Sequence, residues 1–95
     1  MNYRAYLRSQ RWRRIRARML MMTGGACEWP MCGDDRDLEV HHRHYETLDR
    51  ESSDDLVVLC EVHHAVATVR GRYSARDPVC DKIVEERTWH LKELP

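Results

Sequence analysis

Cys27 and Cys32 flank a short loop in a C-x4-C spacing, and Cys60 and His63 follow further on in a C-x2-H spacing. Thiolate and imidazole are the ligands that zinc prefers, and two pairs delivered by separate loops can close a tetrahedron with little strain. Free thiols and a disulfide are the other use of the same residues. Two adjacent histidine pairs, His41-His42 and His63-His64, accompany the cysteines. Neighbours on a strand point to opposite sides, and neighbours on a helix differ by about 100° in direction, so each pair suits two sites better than one. One of His41 and His42 can bind a metal while the other meets a substrate. On the helix, one of His63 and His64 is enough to finish the zinc set. Cys60 with His63 makes a C-x2-H pair and leaves His64 for a second, open metal site, while a bent helix start would exchange the two. A histidine also titrates in the range that suits a base near neutral pH. The expected arrangement is thus a structural metal beside an open, catalytic metal site, with a purely structural or transport metal cluster as the alternative.

These residues need elements to hold them. Ser9 can cap a helix over about 9–23 whose apolar positions Trp12, Ile15, Met19 and Met22 recur every three or four residues, with Leu20 widening the stripe and Gly24-Gly25 ending it. Gly33, after the second cysteine, can take a left-handed conformation. Leu38 to His41 alternates apolar and polar residues as a half-buried strand does, and Leu56 to Leu59 reads as a second strand. Between them, residues 42–54 read as a polar loop anchored by Tyr45 and Leu48. Val62, Val66 and Val69 have a helical period after Cys60, with Gly71 closing that helix. Asp77 as cap and Pro78 at the first position open a last helix over about 78–92, with Val79, Ile83, Val84 and Leu91 inside. Cys80 has no nearby cysteine or histidine partner and reads as a buried thiol. A small α+β unit spanning 1–95 follows, with its motif core at about 27–71.

Composition narrows the setting. A chain of 95 residues buries too little apolar surface for comfort, which favours a metal as extra support. No apolar window is long enough for a membrane span, and the N-terminal segment lacks the apolar stretch of a signal peptide, so a cytoplasmic setting with reduced thiols is expected. The net charge of zero conceals a division. Seven arginines, Arg4, Arg8, Arg11, Arg13, Arg14, Arg16 and Arg18, precede the first acidic residue, Glu28. The remainder carries nine basic and sixteen acidic residues. Such segregation suits a protein that grips a polyanion with one surface, and Arg8, Arg11, Arg14 and Arg18 are the candidates for phosphate contact. Pairing of that helix with the acidic remainder of its own domain is the competing reading.

The ordered set Leu38-Glu39-Val40-His41-His42, Tyr45, Leu48, Glu51 and Asp55 through His64, preceded by Trp12, Gly25, Cys27, Cys32 and Gly33, resembles the HNH endonucleases, in the zinc-containing branch common in phages and prophages. The resemblance covers Trp12 to about Val69. It implies a ββα-metal (His-Me finger) core with a zinc knuckle and flanking helices, and an enzyme that hydrolyses DNA phosphodiesters to 5′-phosphate and 3′-hydroxyl ends. His42 resembles the general base, His41 and His64 the ligands of a catalytic Mg²⁺ or Mn²⁺, and Asp55 the central motif residue that orients the base or its loop. Cys27, Cys32, Cys60 and His63 match the structural zinc ligands. Two imidazoles also suit Ni²⁺ or Zn²⁺ at the catalytic site. The chain departs from the family's pattern in having His63 where cysteine is more usual and Asp55 where asparagine is. Duplex DNA is the implied partner, with phage packaging machinery as a further one. A zinc-dependent nucleic-acid-binding module without catalysis is the rival reading.

Overall fold

The computed structural model describes residues 2–73, 77–92 and 94. Its elements run α1 (Tyr3–Leu7), α2 (Gln10–Met22), β1 (Glu39–His42), a one-turn 3-10 segment (Ser53–Asp55), β2 (Leu56–Leu59), α3 (Glu61–Tyr73) and α4 (Pro78–Glu86). The two strands form an antiparallel sheet in which Val40 lies opposite Val58, His41 opposite Val57 and His42 opposite Leu56.

That register explains why β2 is apolar throughout. Leu56 and Val58 join Val40, Tyr6, Trp12, Ile15, Met19 and Leu94 in one core. Val57 and Leu59 point the other way, into a second core with Cys27, Cys60, Ala67, Cys80, Ile83 and Val84. A strand covered on both faces carries a continuous apolar run instead of an alternation. The sheet is therefore a partition, with α1 and α2 on one face and α3, α4 and the cysteine loop on the other.

Local signals act where the residues require them. The Ser9 hydroxyl accepts a hydrogen bond from the Trp12 N–H at 3.1 Å, and Asp77 accepts one from the Val79 N–H at 2.8 Å. Both are N-caps that satisfy amides the helix cannot. Gly24 and Gly25 stop α2 with φ values of 71° and 68°, a region that side chains disfavour.

Several expectations need correction. A short helix, α1, precedes the arginine helix and supplies Tyr6 to the core. Tyr45 is not an anchor, being 62% exposed, whereas Leu48 does pack on the first core. Val62, Val66 and Val69 keep their helical period but face outward, because the short side chain of Ala67 is what fits against the sheet. Gly71 does not close α3, which continues to Tyr73. The last helix stops at Glu86, since Arg87 turns extended (ψ 143°). Leu91 lies beyond it and packs on the first core, on the opposite side of the sheet from Ile83 and Val84.

A clamp joins the end of α4 to the cysteine loop. The Arg87 guanidinium donates to both oxygens of Glu28 at 2.9 and 2.7 Å, and to the carbonyl oxygens of Ser53 and Leu56 at 2.7 Å each. Glu28 also accepts from the Val58 N–H at 2.9 Å. With both side chains nearly buried, these bonds offset the desolvation that isolated charges would suffer.

Candidate functional site

Cys27, Cys32, Cys60 and His63 converge so that their donor atoms all lie within 4.8 Å of one another. The separations are 3.6 Å for Cys27 Sγ to His63 Nδ1, 3.3 Å for Cys60 Sγ to His63 Nδ1 and 4.0 Å for Cys32 Sγ to Cys60 Sγ. Bonds of about 2.3 Å to sulfur and about 2.0 Å to nitrogen give a tetrahedron with edges of about 3.5 to 3.8 Å. The donor set and its spacing can therefore hold a metal such as zinc. All four cysteines are free thiols. Cys80 is buried and stands apart from this cluster.

The loop is shaped for the task. Cys27 N–H bonds to the Asp34 carbonyl at 2.8 Å and Glu28 N–H to the Val58 carbonyl at 2.8 Å, fixing the first ligand against β2. Met31 and Gly33 take φ values of 66° and 68° on either side of Cys32. Trp29 stacks on the His63 ring at 4.8 Å and 3° between planes, which holds the imidazole in one orientation. Burial pushes the Cys27 thiol up to about 11, while the backbone N–H of His63 draws Cys60 below its ordinary value. A divalent ion would override that difference, because a coordinated thiol loses its proton.

The histidine pairs are divided by the sheet and the helix. His41 faces α3, where its ring meets that of His64 edge-on with centroids 5.3 Å apart. Burial, and then the proximity of His64 and His42, depress His41 to about 4. It is neutral near pH 7, the form that binds metal. His42 faces the other way, stacked on Trp12 at 4.6 Å. Its Nε2 lies 2.8 Å from Glu51 Oε2, and Tyr6 Oη donates to the same carboxylate at 2.7 and 2.9 Å. A carboxylate only accepts, so Nε2 carries the proton and Nδ1 the lone pair. Nδ1 is 3.4 Å from the Tyr3 hydroxyl. Burial lowers the His42 pKa, with Glu51 acting against it.

The expectation that one histidine of the strand pair openly meets a substrate is altered here, because His42 is only 5% exposed. Tyr3 and Tyr45 both have ring centroids 5.8 Å from it. His41, His42 and His64 nevertheless line one cleft of about 820 Å³. Asp55 does not reach His42. Its oxygens bind His44 Nε2 at 3.0 Å, Thr47 Oγ1 at 2.9 Å and the Ser52 N–H at 2.9 Å, and so fasten the loop that follows His42. Burial raises the Asp55 pKa, but these donors outweigh it and hold the carboxyl low.

Glu51, Trp29 and Tyr3 are functional neighbours to which the spacing gave no role. Each works through a contact with a distant part of the chain, and none falls in a periodic pattern. Of the arginines, Arg8, Arg14 and Arg18 are exposed, and among the described residues no carboxylate lies within 4.0 Å of them. Arg11 is half-buried and pairs with Asp49 at 3.4 Å. No helix among the described residues is long and apolar enough to cross a membrane. In comparisons with known proteins, no family model matches the chain, nor does any curated protein or solved structure.

Proposed function

We propose that this chain is an HNH-type endonuclease that hydrolyses DNA phosphodiesters, with a ββα-metal core formed by β1, β2 and α3. The observation that carries the reading is the split of roles in one cleft. His42 is oriented through Nε2 by Glu51, and His41 and His64 come together from strand and helix. This arrangement supplies a base held through Nε2, beside two imidazoles able to hold a cation. A divalent ion there, Mg²⁺ or Mn²⁺, would supply Lewis-acid stabilisation of phosphate and leaving-group oxygens.

The residues then divide the work. His42 Nδ1, which lies 3.4 Å from the Tyr3 hydroxyl, takes the proton of an attacking water. The imidazolium that forms is stabilised by the Glu51 carboxylate at 2.8 Å, as a buried counter-charge does. Asp55 keeps the loop after His42 in register through His44, Thr47 and Ser52. The exposed arginines of α1 to α2 supply phosphate contacts that carry affinity without sequence preference.

The test is incubation of supercoiled plasmid with the protein and Mg²⁺ or Mn²⁺, with EDTA as control. Nicking or linearisation is expected, and His42→Asn should reduce its rate by about 10²- to 10⁴-fold. Asparagine is preferable to alanine, which would leave Glu51 buried without its partner. The cover of Tyr3 and Tyr45 over His42 favours the rival, a nucleic-acid-binding zinc module without catalysis. Tight DNA binding with no cleavage under either metal would establish that rival and end the enzymatic reading.

A further inference from the structure

The loop that carries Tyr45 is tied down on both sides of that residue. Asp55 accepts from His44 Nε2 at 3.0 Å and from Thr47 Oγ1 at 2.9 Å, and the Leu48 N–H closes a turn on the Tyr45 carbonyl oxygen at 3.3 Å. The side chain so presented is nevertheless in water, with Tyr45 62% exposed. Tyr3, also at the surface, meets it edge-on with ring centroids 5.2 Å apart, and both tyrosines line the cleft of His41, His42 and His64. A fixed loop that holds an aromatic ring in solvent gains little core burial from it, but it offers a rigid contact surface at small entropic cost.

The surrounding charge indicates which ligand fits. Arg4 and Arg8 are exposed on and beside the short helix that carries Tyr3, and neither α1 nor α2 contains an acidic residue. Glu46 sets one negative charge at the rim of the cleft against them. Aromatic rings beside cations suit single-stranded nucleic acid, in which bases stack on the rings and phosphates meet the cations. A base inside a duplex has both faces covered by its neighbours and offers Tyr45 none.

We infer that Tyr45, backed by Tyr3, is a stacking platform for an unpaired nucleobase beside His42; this rests on the reading of the cleft as a nucleic-acid site. The substrate class is then DNA with an unpaired stretch where the backbone enters the cleft.

Fluorescence anisotropy tests this on the zinc-loaded protein with no Mg²⁺ or Mn²⁺ added, so that binding is read without cleavage. The labelled probes are a single strand, the same sequence as duplex, and a strand of equal length built of abasic nucleotides. Losing one base–aromatic stack corresponds to about 5- to 150-fold in affinity, so Tyr45→Ala should weaken single-strand binding within that range and change the other two probes by less than about twofold. Tyr45→Phe should bind the single strand as the unaltered protein does. Tyr45→Leu, which keeps a bulky apolar cover, should weaken it and serves if the alanine variant folds poorly. If the alanine and leucine variants keep full single-strand affinity, or weaken all three probes alike, the platform is wrong while the nucleic-acid site stands. If the unaltered protein binds none of the probes, the reading of the cleft itself fails.

Discussion

The two faces of the sheet are held by different means. On the α1 and α2 face, Trp12, Ile15 and Met19 cover Val40, Leu56 and Val58, and a polar insertion, His42 with Glu51 and Tyr6, is internally bonded. On the other face, Val57 and Leu59 meet three cysteines, a small alanine and Ile83 and Val84 of α4, beside a cluster suited to a metal. The first face is a packed core with a histidine embedded in it. The second has fewer large side chains and a cluster of donors that could hold a metal. The contrast accounts for the doubled histidines, since each adjacent pair straddles a boundary: His41 and His42 sit on opposite faces of the sheet, while His63 turns to the sulfurs and His64 to the cleft.

The largest effect is expected where the second face loses its ligands. His63→Ala, or exhaustive chelation, should unfold the domain, because structural zinc sites contribute on the order of 10 kcal/mol or more. That matches or exceeds the whole stability of a small domain. His64→Ala should keep its zinc and melt close to the unaltered protein. Zinc content and circular-dichroism melts of the two variants decide the matter, and a reversal of their behaviour would mean that the two sites exchange histidines.

An intermediate effect belongs to the outer side of the first face. Replacing Arg8, Arg14 and Arg18 with glutamine should weaken binding to unrelated duplexes alike. It should also flatten the slope of log affinity against log salt by about 2 to 3. Arg11→Gln should change the slope less, since its guanidinium already pairs with Asp49. An unaltered slope in the triple variant would separate this face from DNA.

The smallest effect concerns Cys80, buried in the second core. Burial pushes its thiol up to about 12. A raised pKa in the fold means that the folded chain keeps a proton which the unfolded chain gives up. Its stabilising contribution is full below the unfolded value, about 8.5, and is lost as pH rises toward 12. Melts from pH 8 to 11 should fall less steeply for Cys80→Ala than for the unaltered protein. Equal slopes would place the thiol in contact with solvent.

Much of this architecture was legible in local spacing. Ser9 and Asp77 announce helix starts because capping is decided by a few neighbouring atoms, and C-x4-C with C-x2-H marks the candidate metal ligands because one pair brackets a tight turn and the other opens a helix. The hidden parts depend on contacts across the chain. Glu51 is one carboxylate among several in a polar loop, and nothing in its neighbours shows that it is buried against His42. The outward valines of α3 misled because period alone does not say which stripe meets the sheet. Tyr45 failed as an anchor for a related reason: its ring lies over Tyr3 and His42 at the surface instead of entering a core.

The Arg87 clamp bears on the order in which the protein can assemble. All four candidate metal ligands lie between residues 27 and 63, so a nascent chain holds the complete set well before α4 has been synthesised. The guanidinium that neutralises Glu28 arrives 59 positions after it. The four candidate ligands and the charge partner of Glu28 thus come from different parts of the chain, and the residue that follows α4 ties its end to the loop that carries Cys27.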